Sequence, residues 1–307
     1  MTTRWYALLV STLVTSTLAT LPALAGGPRY TPWGPAAPDL DTANSASGGC
    51  PIESRDGLTL FTAATRADGF GGLDIWINTR FEVDEPFGPA ENLGAPVNTE
   101  FDDFCPTPLN DNFLMFVSAR PGPGTCGGGD MYIIKRNPAH GWGEPVNLGC
   151  AATGDGPNTA GGEFSPSLVN TDEGLFLFFS SNGGANMDLF VSEFANGRFG
   201  PGVRIDELST ADDDRMPNVS KDGREIVFSS NRTEWGDGEL PHGGQDVYAS
   251  WRDSIGEPWS APVNLGSGIN TASDETRSSM SWDRLRLHFG RDGEVYVSER
   301  VKSKGRP

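Results

Sequence analysis

Past an apolar N-terminal stretch, hydrophobic and polar positions along the chain never settle into a helical period. The hydrophobic residues fall in short runs that close in polar turns: LTLFTAATR, FLMFVSAR, LFLFFSSN, EIVFSSNR and LRLHFGR. Runs of this length, rich in aromatic and aliphatic residues and bounded by turn formers, predict strands. Each is followed by an acid, an aliphatic residue and an aromatic: Asp74-Ile75-Trp76, Asp130-Met131-Tyr132, Asp188-Leu189-Phe190, Asp246-Val247-Tyr248 and Glu294-Val295-Tyr296. The leading acids stand 56, 58, 58 and 48 residues apart. Ahead of each run lies a short segment carrying Pro51, Pro106, Pro166 and Pro217, with Ser278 at the fifth position. Asp56-Gly57, Asp222-Gly223 and Asp292-Gly293 mark junctions, and 40 glycines and 23 prolines suit many tight connections.

A fourth signal recurs. EPFGPAENLGAPVNTEFDD at 85–103 returns as EPWSAPVNLGSGINTASDE at 257–275, in part as GWGEPVNLG at 141–149, and in degraded form as RFGPGVRIDEL at 198–208. Four strand signals per period are what a propeller blade, a four-stranded antiparallel sheet, should leave. The phrase is then the outermost strand and its crossing to the next blade, with Phe87, Trp142, Phe199 and Trp259 as its aromatic. The last repeat lacks this strand, but TPWGPAAPDLDTAN at 31–44 matches it and contributes Trp33. The expected fold is all-β: a five-bladed β-propeller of four-stranded antiparallel blades over residues 30–300, its ring closed by the N-terminal strand. Closure removes two unprotected sheet edges. Residues 301–307 form a short basic tail.

These repeats resemble the TolB-type propeller repeat, a bacterial relative of the WD-repeat propellers. MPNVSKDGREIVFSSNRTEWGDGELPHGGQDVYAS is the copy most like it, with Pro217, the Lys221-Asp222-Gly223 turn, Ser229-Ser230-Asn231-Arg232 and Asp246-Val247-Tyr248. The resemblance spans essentially residues 30–300 and implies the fold. Propellers of this family include periplasmic protein-binding modules, peptidase-associated domains and some polysaccharide lyases, so it leaves function open.

Composition narrows the partners. The first 25 residues hold one charge, Arg4, then an apolar stretch ending in Ala23-Leu24-Ala25, which reads as a cleaved signal peptide. The alternative, an uncleaved anchor, fits poorly because Ser11, Thr12, Thr15, Ser16 and Thr17 interrupt the stretch. No later segment is apolar enough to span, so a periplasmic or secreted protein is expected. A formal charge of −18 argues against nucleic acid, whose phosphates reward basic patches. A protein or glycan partner stays open. Four cysteines in an exported chain suggest two disulfides. Cys50 and Cys105 precede equivalent prolines, while Cys126 and Cys150 belong to connections on one face, so the expected bonds are Cys50–Cys105 and Cys126–Cys150; four cysteines allow three pairings.

Little catalytic signature is present. His140, His242 and His288 lie on different repeats without metal-ligand spacing, and there is no G-x-S-x-G elbow or phosphate loop. One constellation repeats: Asp103, Glu163, Asp214 and Glu275 stand three residues before the inner-strand proline or its equivalent, where the first repeat has Gly48. Asp102, Asp212, Asp213 and Asp274 thicken the set, and Arg66, Arg120, Arg232 and Arg291 close the second strands on the same face. The expectation is an acidic channel mouth either pinned by ion pairs or open to a ligand, with Asp214, Glu275, Arg215 and Arg277 the strongest candidates for contact. No cofactor is expected, calcium being the one ion considered. The favoured function is a non-enzymatic binding or scaffold propeller; the alternative is a glycosidase using channel carboxylates, since five-bladed glycosidases place such groups around the channel.

Overall fold

The computed structural model describes residues 29–39, 49–183, 186–233 and 241–303. The signal-peptide segment, Gly48, residues 40–44 of the closing phrase and residues 304–307 of the tail lie outside them. Five antiparallel blades form a ring. From inside outward, blade one consists of Gly49–Glu53, Thr59–Ala64, Asp74–Thr79 and Glu91–Asn92. Blade two is Asp103–Asn110, Phe113–Ser118, Asp130–Asn137 and Val146–Asn147; blade three is Glu163–Thr171, Gly174–Ser181, Asp188–Ala195 and Val203–Arg204. Blade four is Asp214–Val219, Glu225–Ser230, Asp246–Trp251 and Val263–Asn264. Blade five takes Thr276–Met280, Arg286–Arg291 and Glu294–Glu299 from the C-terminal part, and its outer strand, Ala37–Pro38, from the N-terminal part. Ala37 pairs with Val297 and Pro38 with Tyr296, which closes the ring. Among the described residues the single helical turn is the 3-10 segment Ala151–Thr153.

The hydrophobic runs form the second strands, and their side chains fill the seams between blades. Between blades three and four, Val169, Phe178, Leu189, Ile205 and Leu208 meet Val219, Ile226, Phe228, Tyr248 and Trp259. Each fully buried aliphatic or aromatic side chain contributes about 1.5–3 kcal/mol relative to exposure. The aromatic of the third strand stacks on one from the second in four blades: Phe116 on Tyr132, Phe179 on Phe190, Phe228 on Tyr248 and Phe289 on Tyr296.

The inner-strand prolines have a definite role. Each inner strand slips register at the equivalent place, between Gly49 and Ile52, Phe104 and Thr107, Phe164 and Ser167, Arg215 and Asn218, and Thr276 and Ser279, and the blade-two strand slips again between Pro108 and Asn110. These are β-bulges, and a proline, which has no N–H to donate, fits at a position left out of the ladder. The residue just before each proline, or before Ser278, is left-handed: Cys50, Cys105, Ser165, Met216 and Arg277, with φ from 49° to 58°. The bulges set these five residues at equivalent inner-strand positions, Cys105 lying in the apolar cluster shared by blades two and three with Cys50 packed against it.

Candidate functional site

The face on which the inner strands begin is built from the recurring phrase. Asn98 accepts the Ile75 N–H (2.8 Å) and donates to the Ile75 carbonyl (2.9 Å), fixing the third strand of the preceding blade. Asn158 and Asn270 do the same for Met131 and Val247, and Ser209 accepts the Leu189 N–H. The next residue, Thr99, Thr159, Thr210 or Thr271, gives both its N–H and its hydroxyl proton to the acid four residues on: Asp103, Glu163, Asp214 or Glu275. The repeated phrase thus ties one blade to the next through side chains that accept or donate to backbone. Third-strand acids are likewise local acceptors: Asp74, Asp130 and Asp246 take the N–H of Phe70, Cys126 and His242.

The four phrase acids are fully buried. Arg120 reaches Asp103 at 2.7 Å and Arg232 reaches Asp214 at 2.6 Å, and both also donate to crossing carbonyls. Arg291 reaches Glu275 at 2.6 Å and donates to the Ile269 carbonyl. Each of these guanidiniums lies over the stacked aromatic pair of its own blade. The acidic mouth is therefore closed off at three positions, where the carboxylates are saturated by their own chain. Arg215 and Arg277 take partners other than the neighbouring Asp214 and Glu275. Arg215 bonds Asp213, and Arg277 crosses the channel to the Pro106 carbonyl (3.2 Å) and Thr107 Oγ1 (3.1 Å) of blade two. Arg66 packs over Trp76, 4.5 Å from the ring centre.

Glu163 is the exception. Its blade carries Gly183 where the others carry arginine. Oε1 accepts from Thr159 and Ser181, while Oε2 is buried without a partner among the described residues. Burial pushes the Glu163 carboxyl above its ordinary pKa, against the hydrogen bonds from Thr159 and Ser181 that lower it. Two glycines permit the close cover: a Cβ on Gly161 would stand 2.4 Å from Asn182 Oδ1, and one on Gly183 2.8 Å from Thr159 Oγ1.

Cys126 and Cys150 are joined by a disulfide on this face. Cys50 and Cys105 are unbonded, their sulfurs 2.8 Å apart. Toward the opposite face a cleft of about 720 Å³ lies between blades five and one, lined by Asp39, Arg80, Asp84, Glu85, Arg286 and His288 among others. Both arginines there are held by buried Glu53, each at 2.8 Å. His288 is buried and 3.5 Å from Asp39. Among the described residues no group of three or more His, Cys, Asp or Glu is arranged to hold a metal ion. No helix among them is long and apolar enough to cross a membrane.

No family model and no curated protein matches the chain. Solved structures do. An α-L-arabinofuranosidase from Lactobacillus brevis is similar at TM-score 0.52 and 11% identity, covering 85% of this chain and 92% of its own. The α-L-arabinofuranosidase of Podospora anserina, solved with cellotriose, is similar at TM-score 0.51 and 15% identity, covering 89% and 98%. TolB from Acinetobacter baumannii also matches, at TM-score 0.47 and 13% identity, over 84% of this chain and 55% of TolB. At such identities the likeness establishes the shared fold. The similar structures are mostly glycoside hydrolases, a finding that goes against the expectation of a non-enzymatic binding or scaffold propeller.

Proposed function

We propose that this chain is an exported, carbohydrate-active propeller that hydrolyses glycosidic bonds of pentose-containing glycans, with Glu163 as its proton donor. The observation that carries the reading is the asymmetry of the acid set. Among the described residues three members are neutralised by arginine, while Glu163 has none, keeps an unbonded oxygen and has its pKa raised by burial. A carboxyl group whose pKa is raised holds its proton to higher pH, which is what a general acid needs to give that proton to a departing glycosidic oxygen. The similar arabinofuranosidases supply the substrate class, and the near-complete overlap of chain lengths supports one shared frame. The hydrolytic role is built onto the five-bladed frame.

The test compares leaving groups. Wild-type protein is assayed on α-L-arabinofuranosides and β-xylosides carrying either a poor alkyl or an activated dinitrophenyl leaving group, beside Glu163→Gln. Loss of the proton donor should abolish turnover of the alkyl glycosides, a fall of about 10²–10⁴-fold, and spare the dinitrophenyl ones. An equal fall on both substrates would remove Glu163 from the acid role. A wild-type chain inert toward the whole panel would overturn the hydrolase reading.

A further inference from the structure

The inner-strand bulges bring together sulfur and guanidinium groups that glycoside cleavage does not account for. Cys50 and Cys105 occupy the same left-handed bulge position in blades one and two. Cys50 is partly exposed and Cys105 fully buried, and their sulfurs lie 2.8 Å apart. Ser165, the equivalent residue of blade three, places Oγ 3.5 Å from the Cys105 sulfur. Arg277 enters from blade five with 1% of its surface exposed. Its Nη2 donates to blade two, while Nε and Nη1 have no acceptor among the described residues. A guanidinium this deep without a carboxylate is costly unless another negative charge compensates it. Both sulfurs lie within its field, and a thiolate on the pair supplies that charge. Burial alone would push the Cys105 thiol up; the Cys50 S–H, then Arg277 and Ser165, outweigh it and bring the thiol to about 6. Cys50 moves the other way, raised well above its ordinary value by the hydrogen bond it gives to Cys105 and by burial.

We propose that Cys50 and Cys105 are a reversible dithiol–disulfide couple, with Arg277 as the positioning residue that stabilises the reduced form. The oxidant is a small-molecule disulfide such as oxidised glutathione. The partly exposed Cys50 passes its proton to the Cys105 thiolate and attacks one sulfur of the small disulfide. That step forms a mixed disulfide on Cys50 and expels one thiolate, which takes up a proton. Cys105, losing its proton again, attacks the Cys50 sulfur, forms the protein disulfide and releases the second small thiol. Two protein thiols are oxidised and one small disulfide is reduced to two thiols. Closing the bond erases the negative charge beside Arg277, so the arginine favours the dithiol. Stabilising the reduced state makes a couple more oxidising than an ordinary structural disulfide.

The experiment is a redox titration of the full chain carrying Cys126→Ser and Cys150→Ser, equilibrated in glutathione buffers and scored by alkylation mass shift. The expected result is a reversible midpoint inside the glutathione range. Arg277→Met should favour the disulfide at least tenfold, which is about 30 mV, and Arg277→Lys should stay near the parent. The thiolate is read separately by its ultraviolet absorbance against pH in a Cys50→Ser background, where Arg277→Met should raise the midpoint and Arg277→Lys should not. A pair that remains disulfide at every buffer ratio, one that never closes, or midpoints indifferent to the charge at 277 would each overturn the proposal.

Discussion

Replacing Asp214 by alanine removes a carboxylate that is fully buried and receives four donors. It accepts the N–H and hydroxyl of Thr210 at 2.5 and 2.8 Å, the Ser230 hydroxyl at 2.5 Å and Arg232 at 2.6 Å. The variant leaves Arg232, itself 4% exposed, without its counter-charge. Breaking a buried pair from one side costs about 3–5 kcal/mol, because the remaining ion stays desolvated. The Leu208 carbonyl, Ser230 hydroxyl and aromatic pair still contact Arg232 and hold the cost to that range. Removing both partners in Asp214→Ala/Arg232→Met should recover a large part of the loss, since no buried charge is then stranded. The assay is urea unfolding followed by tryptophan fluorescence and far-ultraviolet circular dichroism, with the four proteins forming a double-mutant cycle. A single Asp214→Ala variant within about 1 kcal/mol of wild type, or a double variant that simply sums the two single losses, would refute the buried-pair account.

Glu163 should behave oppositely with pH. Its folded pKa lies above its unfolded one, so the folded state holds the proton longer and stability falls as pH rises from the unfolded value through the folded one. Glu163→Gln should flatten that slope and cost little at neutral pH, as thermal melts between pH 4 and 8 would show; a slope unchanged by the substitution contradicts it. Deleting residues 30–44 should uncover the Glu294–Glu299 edge and promote association visible by light scattering, whereas a truncated chain as soluble and heat-resistant as the parent would speak against closure. Cys126→Ser with Cys150→Ser opens a bond of sequence separation 24 and should cost about 3 kcal/mol; unchanged urea midpoints would assign that bond no structural weight.

Strand positions, blade number and closure were all legible in the chain, because each blade repeats the same local physics. An apolar run must be buried, a Gly or Asp turn must follow, and a missing outer strand must be replaced from the other terminus. The phrase's Asn and Thr were visible as letters, but their partners are third-strand backbone and an acid four residues on, which only the crossing geometry brings together. The exception at Glu163 was also written in the chain, as Gly183 in place of an arginine, although its meaning depends on knowing that the other arginines point inward. What sequence alone could not place is the partner of Arg277. Residues 277 and 106 lie 171 apart along the chain, and in a linear reading Arg277 stands two residues from Glu275. The bulge at Thr276–Ser279 and the closure of the ring set it against blade two instead. Charge partners are chosen by distance through space, so pairing within the ring was decided by tertiary structure alone.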